Sequence, residues 1–149
     1  EPSAYTPRLD PGVYSLESAA TGNVVEAEAG GTADGTDVIE ASWTDSAHER
    51  FAIQRNDDGT YRLEAQHSGK VIGVANESTS DGGNVHQWSW TGSDTQRWYA
   101  VEIDEERYCF VNANSGRVLD GEQPGANVHQ WHWHSGSNQQ WQAVDRGSL

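Results

Sequence analysis

Apolar and aromatic residues in this chain fall in runs of five to seven, alternate with polar positions, and are separated by turns rich in Gly, Ser and Asp. That period-two pattern predicts short β-strands. No ten-residue stretch carries a convincing helical period. The runs also repeat: Tyr14, Tyr61 and Tyr108 stand 47 residues apart, and each opens a similar segment (Tyr14-Ser-Leu-Glu-Ser, Tyr61-Arg-Leu-Glu-Ala, Tyr108-Cys-Phe-Val-Asn). A Gly-led turn and an apolar pair follow, as Gly22-Asn-Val-Val, Gly69-Lys-Val-Ile and Gly116-Arg-Val-Leu. The next run is nearly the same in two copies, Asn84-Val-His-Gln-Trp-Ser-Trp90 and Asn127-Val-His-Gln-Trp-His-Trp133. It is worn in the first, Asp37-Val-Ile-Glu-Ala-Ser-Trp43. An aromatic closes each unit: Phe51, Trp98 and Trp141.

Four short strands cannot bury their own apolar face, so three such units must close on one core. The prediction is an all-β fold, a β-trefoil of three pseudo-threefold repeats with four strands each, over about 11–57, 58–104 and 105–149. Residues 1–10, with two prolines, read as a tail or linker ahead of a single domain, 11–149. A three-repeat solenoid would need distinct polar caps, and none is visible. The closing aromatics are expected in the core where the lobes meet, given the large area each can bury.

Charge removes whole classes of function. Twenty-three acidic against nine basic residues give −14, and Lys70 is the sole lysine. Such a field repels phosphate backbones, so nucleic acid is not an expected partner. No window approaches the roughly 18 apolar residues of a membrane span. High Asp/Glu with almost no Lys resembles proteins of halophilic organisms, and an acidic secreted protein is the alternative. The missing initiator Met makes residue 1 an expected processed or artificially chosen start, with the chain cut from something larger. Cys109 alone permits no internal disulfide and reads as an inert thiol, with an intermolecular bridge as the alternative.

The ends of the repeats carry a family signature. Gln96-Arg-Trp98 and Gln139-Gln-Trp141, with the degenerate Glu49-Arg-Phe51, resemble the Gln-x-Trp motif closing each repeat of ricin-type lectins and family 13 carbohydrate-binding modules. One such motif is weak evidence; three at the same phase of a threefold repeat are specific. The resemblance covers about residues 11–149. It implies a non-catalytic, secreted or surface-exposed sugar-binding module, either a free lectin or one appended to a larger enzyme such as a glycoside hydrolase. The implied ligands are galactose-, arabinose- or xylose-type glycans.

Sugar recognition needs an aromatic ring to stack on the CH face of the sugar, a carboxylate to accept from adjacent hydroxyls, and amides for the remaining donors and acceptors. Ricin-type sites resemble this plan, with an Asp ending the second strand, an aromatic on the third, and an Asn just before the Gln of the closing motif. Carried over residue by residue, the third repeat has every part: Asp120 as carboxylate, Trp131 as platform, Asn138, and His129 where relatives often carry Gln. His129 and Trp131 share a strand face. Gln139 is expected to orient Asp120. The second repeat keeps His86 and Trp88 as a candidate second site, but has Gly73 for the Asp and Thr95 for the Asn; weak binding or none is expected there unless a nearby acid such as Asp94 substitutes. The first has Glu26, Ala41 and His48-Glu49, without a platform, and is expected not to bind.

Other readings fare less well. His129, His132 and His134 cluster, yet no second segment completes a metal's ligand set, so no metal is expected. No Gly-x-Ser-x-Gly, His-Glu-x-x-His or phosphate loop is present, and no cofactor or catalytic role is implied. A protein-binding trefoil (inhibitor, targeting or scaffold module) is the alternative function, since the fold alone allows it. It would not account for an Asp-Trp-Asn set kept in one repeat.

Overall fold

A computed structural model describes residues 9–104, 106–121 and 123–149 of the chain. Twelve strands run in order: β1 Gly12–Ser18, β2 Val24–Ala27, β3 Val38–Ala41, β4 Phe51–Arg55, β5 Tyr61–Ala65, β6 Val71–Val74, β7 Val85–Trp88, β8 Trp98–Asp104, β9 Arg107–Asn112, β10 Val118–Asp120, β11 His129–Trp131 and β12 Trp141–Gly147. Strands β1, β4, β5, β8, β9 and β12 pair antiparallel in a closed ring, with β12 returning to both β1 and β9. Closure leaves these six strands no edge. The hairpins β2–β3, β6–β7 and β10–β11 grow from β1, β5 and β9 and cap one end. This is the β-trefoil the repeats predict.

Barrel strands bury alternate residues, as the period-two pattern requires: Phe51 and Ile53 on β4, Tyr61, Leu63 and Ala65 on β5, Trp141 and Ala143 on β12. The three closing aromatics are fully buried together with Leu16, Phe110 and Leu119. Trp98 and Trp141 each donate an indole N–H to a strand carbonyl, Ile72 at 3.1 Å and Leu119 at 3.1 Å, so neither large ring strands a polar group in the core. Strands β1, β5 and β9 turn into their hairpins at Gly22, Gly69 and Gly116, all left-handed (φ 78°, 71° and 74°). The amide of each glycine bonds back four residues, a turn that a side chain would strain.

The hairpins meet at the pseudo-threefold axis. Asn84 donates to Asp37 (2.9 Å) and Asn127 to Asn84 (3.2 Å), while β-bridges tie Asp37 to His86 and Asn84 to His129. Each hairpin thus lies against its neighbour, and the third-repeat pocket borrows a wall, Gly82, from the second repeat.

Of the segment read as a tail, residues 1–8 lie outside the described residues. Leu9 is buried in the core, and its carbonyl accepts from the Tyr61 hydroxyl at 2.6 Å. Asp10 accepts from the Tyr14 hydroxyl at 2.7 Å. Cys109 is buried and free, and burial pushes its thiol up to about 11, so it holds its proton at neutral pH.

Candidate functional site

The third repeat brings Asp120, His129, Trp131 and Asn138 to one depression of about 380 Å³, also lined by His134 and by Gly82 from the preceding repeat. Strand register builds it. On β10–β11, Asp120 pairs with His129 and Val118 with Trp131, which places carboxylate, imidazole and indole side by side. The His129 and Trp131 rings meet edge to face, centroids 5.9 Å apart. Gly82 approaches the outer edge of the Trp131 ring, where a Cβ would lie 3.9 Å away.

Asp120 is 3% exposed, and burying a carboxylate requires donors. Three side chains supply them. Asn138 Nδ2 and His129 Nε2 each stand 3.0 Å from Oδ1, and Gln139 Nε2 donates to Oδ2 at 2.9 Å. Gln139 does not line the depression. Its Nε2 also donates to the His132 carbonyl, and its Oε1 accepts the His134 amide, so it joins the floor carboxylate to the loop after β11. Acceptor, platform and amide donor are the elements that bind a sugar hydroxyl pair against a CH face.

The second repeat forms a depression of about 350 Å³ lined by Gly73, Asn76, Glu77, His86, Trp88 and Thr95, among others. Trp88 is 40% exposed, and His86 stacks beside it at 5.2 Å and 25°. Burial holds His86 below its usual pKa, against the pull of Asp37 and Asp34, which favours a neutral ring at neutral pH. Asp94, the nearby acid weighed as a substitute for the missing Asp, does not line this pocket; Glu77 does. Gln96 repeats part of the Gln139 role, accepting the Thr91 amide and donating to the Ser89 carbonyl.

The first repeat has the same frame with different chemistry. Glu26 pairs in register with Ile39, and Val24 with Ala41 where the other repeats carry Trp. Glu49 accepts the Thr44 and Ser46 amides and the Thr44 hydroxyl through Oε1. Glu49 Oε2 is buried without a donor of its own; burial, then the neighbouring Glu49 carboxyl and its charge, push Glu26 up to about 7. For Glu49, burial raises the pKa, but the Thr44 and Ser46 amides outweigh it and hold the group below its usual value. His48 Nε2 lies 3.8 Å from Glu26.

The histidine cluster divides its roles. His132 Nδ1 contacts Asp81 at 2.8 Å, and Asp81 also accepts from Arg117; these bonds, His132 first, hold Asp81 down at about 2. His134 lines the sugar-sized depression. Among the described residues, no three His, Cys, Asp or Glu side chains group to hold a metal ion. Sequence reading missed His134 and Gly82 as pocket walls, Glu77, and the Glu26–Glu49 pair.

Comparison with known proteins fits this geometry. The ricin-type β-trefoil lectin domain-like family matches residues 5–88, 56–131 and 94–148. Comparison with curated proteins gave no match. Among solved structures, the chain is similar to ThreeFoil, a designed threefold-symmetric protein (39% identity, TM-score 0.88, 90% of this chain and 99% of that one). It also shares its fold with an exo-β-1,3-galactanase from Clostridium thermocellum (23% identity, TM-score 0.87, 95% of this chain and 31% of that one). A third is a ricin B-like lectin from Macrolepiota procera solved with lactose (17% identity, TM-score 0.78, 93% and 99%).

Proposed function

This chain belongs to the ricin-type β-trefoil lectin-like family, and we propose that it is a secreted, non-catalytic carbohydrate-binding module whose principal site is the third-repeat pocket. One observation carries the reading: a buried carboxylate, Asp120, held by Asn138, Gln139 and His129 at the base of a pocket walled by Trp131. Asp120 accepts hydrogen bonds from two sugar hydroxyls, Trp131 stacks on the ring's CH face, and Asn138 and His129 serve the remaining oxygens. Gln139 keeps the carboxylate pointed at the ligand. Galactose-, arabinose- and xylose-type units fit this chemistry, and the lactose carried by the Macrolepiota lectin supports starting with galactosides. The −14 charge suits a neutral glycan better than an anionic one. It also favours a saline setting, where screening relieves self-repulsion.

Calorimetric titration with galactose, arabinose, xylose and lactose tests this, with Asp120→Ala beside the native chain. Binding is expected between millimolar and micromolar, roughly −4 to −8 kcal/mol, and Asp120→Ala weakens it at least about thirtyfold, two charge-assisted bonds being lost. Affinity and stoichiometry both unchanged in Asp120→Ala overturn the third-repeat assignment. No binding to any sugar by a folded chain favours a protein-binding trefoil.

A further inference from the structure

The second-repeat pocket keeps a platform and a histidine but has Gly73 where the third repeat has Asp120. Its floor is closed to an acid. A Cβ on Gly73 would lie 2.8 Å from the Thr95 carbonyl oxygen and 3.1 Å from Gln96 Cγ, and a backbone oxygen cannot swing aside as a flexible side-chain end can.

The wall supplies what the floor lacks. After β6 the chain makes a 3₁₀ turn, Ala75–Glu77, and both Asn76 and Glu77 border the pocket. This wall is peculiar to the second repeat. The first has the same turn, Glu28–Gly30, but ends it in glycine. In the third, Val118 to Asn127 spans nine positions where Val71 to Asn84 spans thirteen, and among the described residues no 3₁₀ turn stands there. Glu77 also holds φ 54° where the first repeat places Gly30 at φ 68°. A left-handed glutamate is unfavourable and persists only where its surroundings fix it, a feature that concentrates at binding sites. Asn114 helps to fix it, donating to the Glu77 carbonyl at 3.4 Å from the third repeat.

We infer that Glu77 is the carboxylate of a second sugar site, accepting hydroxyl hydrogen bonds from a neutral pyranose or furanose stacked on Trp88, with His86 on the same face. The inference rests on the sugar-binding reading above. The acid has moved from the strand below the ligand to the turn beside it. The chain is then bivalent, and two weak sites on one rigid frame raise avidity for a polymeric glycan without any new contact.

The test silences the third-repeat site by Trp131→Ala and, independently, by Asp120→Asn, then titrates galactose, arabinose, xylose and lactose by calorimetry and tryptophan fluorescence. The native chain is expected to bind two sugars, and each silenced chain one. Adding Glu77→Gln to either background should weaken the residual binding at least tenfold, as should Trp88→Ala, while Asp94→Asn leaves it unchanged. Glu77 is exposed, so its variant keeps the fold. Residual binding indifferent to Glu77→Gln overturns the assignment, as does a native chain that binds one sugar and a silenced chain that binds none. Both results leave the third-repeat reading standing. A native chain that binds no sugar overturns both.

Discussion

The first and third repeats share a backbone frame and hold nearly opposite chemistry at one point in it. In both, an acid from the second strand (Glu26 or Asp120) faces the first residue of the closing motif (Glu49 or Gln139). That residue anchors the loop preceding it through a backbone amide, Thr44 or His134. In the third repeat the facing group is an amide whose N–H donates to the carboxylate and leaves Asp120 lone pairs to accept from a ligand. In the first it is a second carboxyl. Two acceptors cannot bond without a proton between them, and Glu26 carries it, pushed up to about 7 chiefly by burial. The difference teaches that the donors around an acid make the site, more than the acid itself.

Exchanging the facing groups breaks the comparison. Gln139→Glu places a carboxyl oxygen between Asp120 and the His132 carbonyl, both acceptors. Leaving such buried groups unmatched costs about 1–3 kcal/mol. Sugar affinity is expected to fall about tenfold or more at pH 8, where the new acid tends to ionise, and to recover at pH 5, where its proton restores a donor. Calorimetry at the two pH values checks this, and equal affinity at both would show that Gln139 does not set the state of Asp120.

The reverse exchange sharpens it. Glu26 has a folded pKa near 7, above its ordinary 4.5. The fold therefore holds a proton that the unfolded chain releases, and the stabilisation is complete below about pH 4.5 and lost as pH rises through about 7. Glu28 and Glu49 add negative charge beside Glu26, and His48 faces it at 3.8 Å. In Glu49→Gln an amide donates to Glu26 as Gln139 does to Asp120, so no proton needs to be held. Melting temperature between pH 5 and 8.5 is expected to fall more steeply in the native chain than in Glu49→Gln. The difference would amount to about 1–2 kcal/mol at pH 8, the scale of one buried charge-assisted bond. Parallel curves would mean that Glu26 does not carry the proton.

The trefoil was legible because its determinants repeat. Tyr14, Tyr61 and Tyr108 keep one spacing, and Phe51, Trp98 and Trp141 close each unit at one phase. Asp120, His129, Trp131 and Asn138 were legible because strand register turns a fixed offset into adjacency. What stayed hidden depends on loops and burial. Asp94 looked the natural substitute acid, being next to Thr95 in sequence, yet the turn that closes the repeat leaves it off the pocket, whereas Glu77 reaches the wall through a turn the third repeat lacks. Glu40 shows the same effect. Its counterparts Gln87 and Gln130 each donate to two carbonyls of the neighbouring loop. Glu40 meets instead the shortened third-repeat loop at Gly121, buried, with burial raising its pKa and the Thr21 hydroxyl opposing. The glutamate in the worn first copy lies against a shorter loop of another repeat, which no single repeat reveals.

The smallest expected effect concerns the tryptophan two residues beyond each platform position. Arg146 and Arg50 lie over Trp43 at 3.9 and 5.8 Å, and Arg62 and Arg97 over Trp90 at 4.9 and 5.2 Å. Trp133 is 41% exposed, and Gln140 stands where those repeats have Arg50 and Arg97. A guanidinium over an indole face contributes about 0.5–1 kcal/mol at an accessible site. Arg146→Ala should therefore lower stability by about that much in urea denaturation. Trp133→Ala should remain within about 0.5 kcal/mol of the native chain, as substitutions away from packed features do. Equal losses would mean that Trp133 is packed as its counterparts are, and that the third repeat differs from the first in its acid and platform alone.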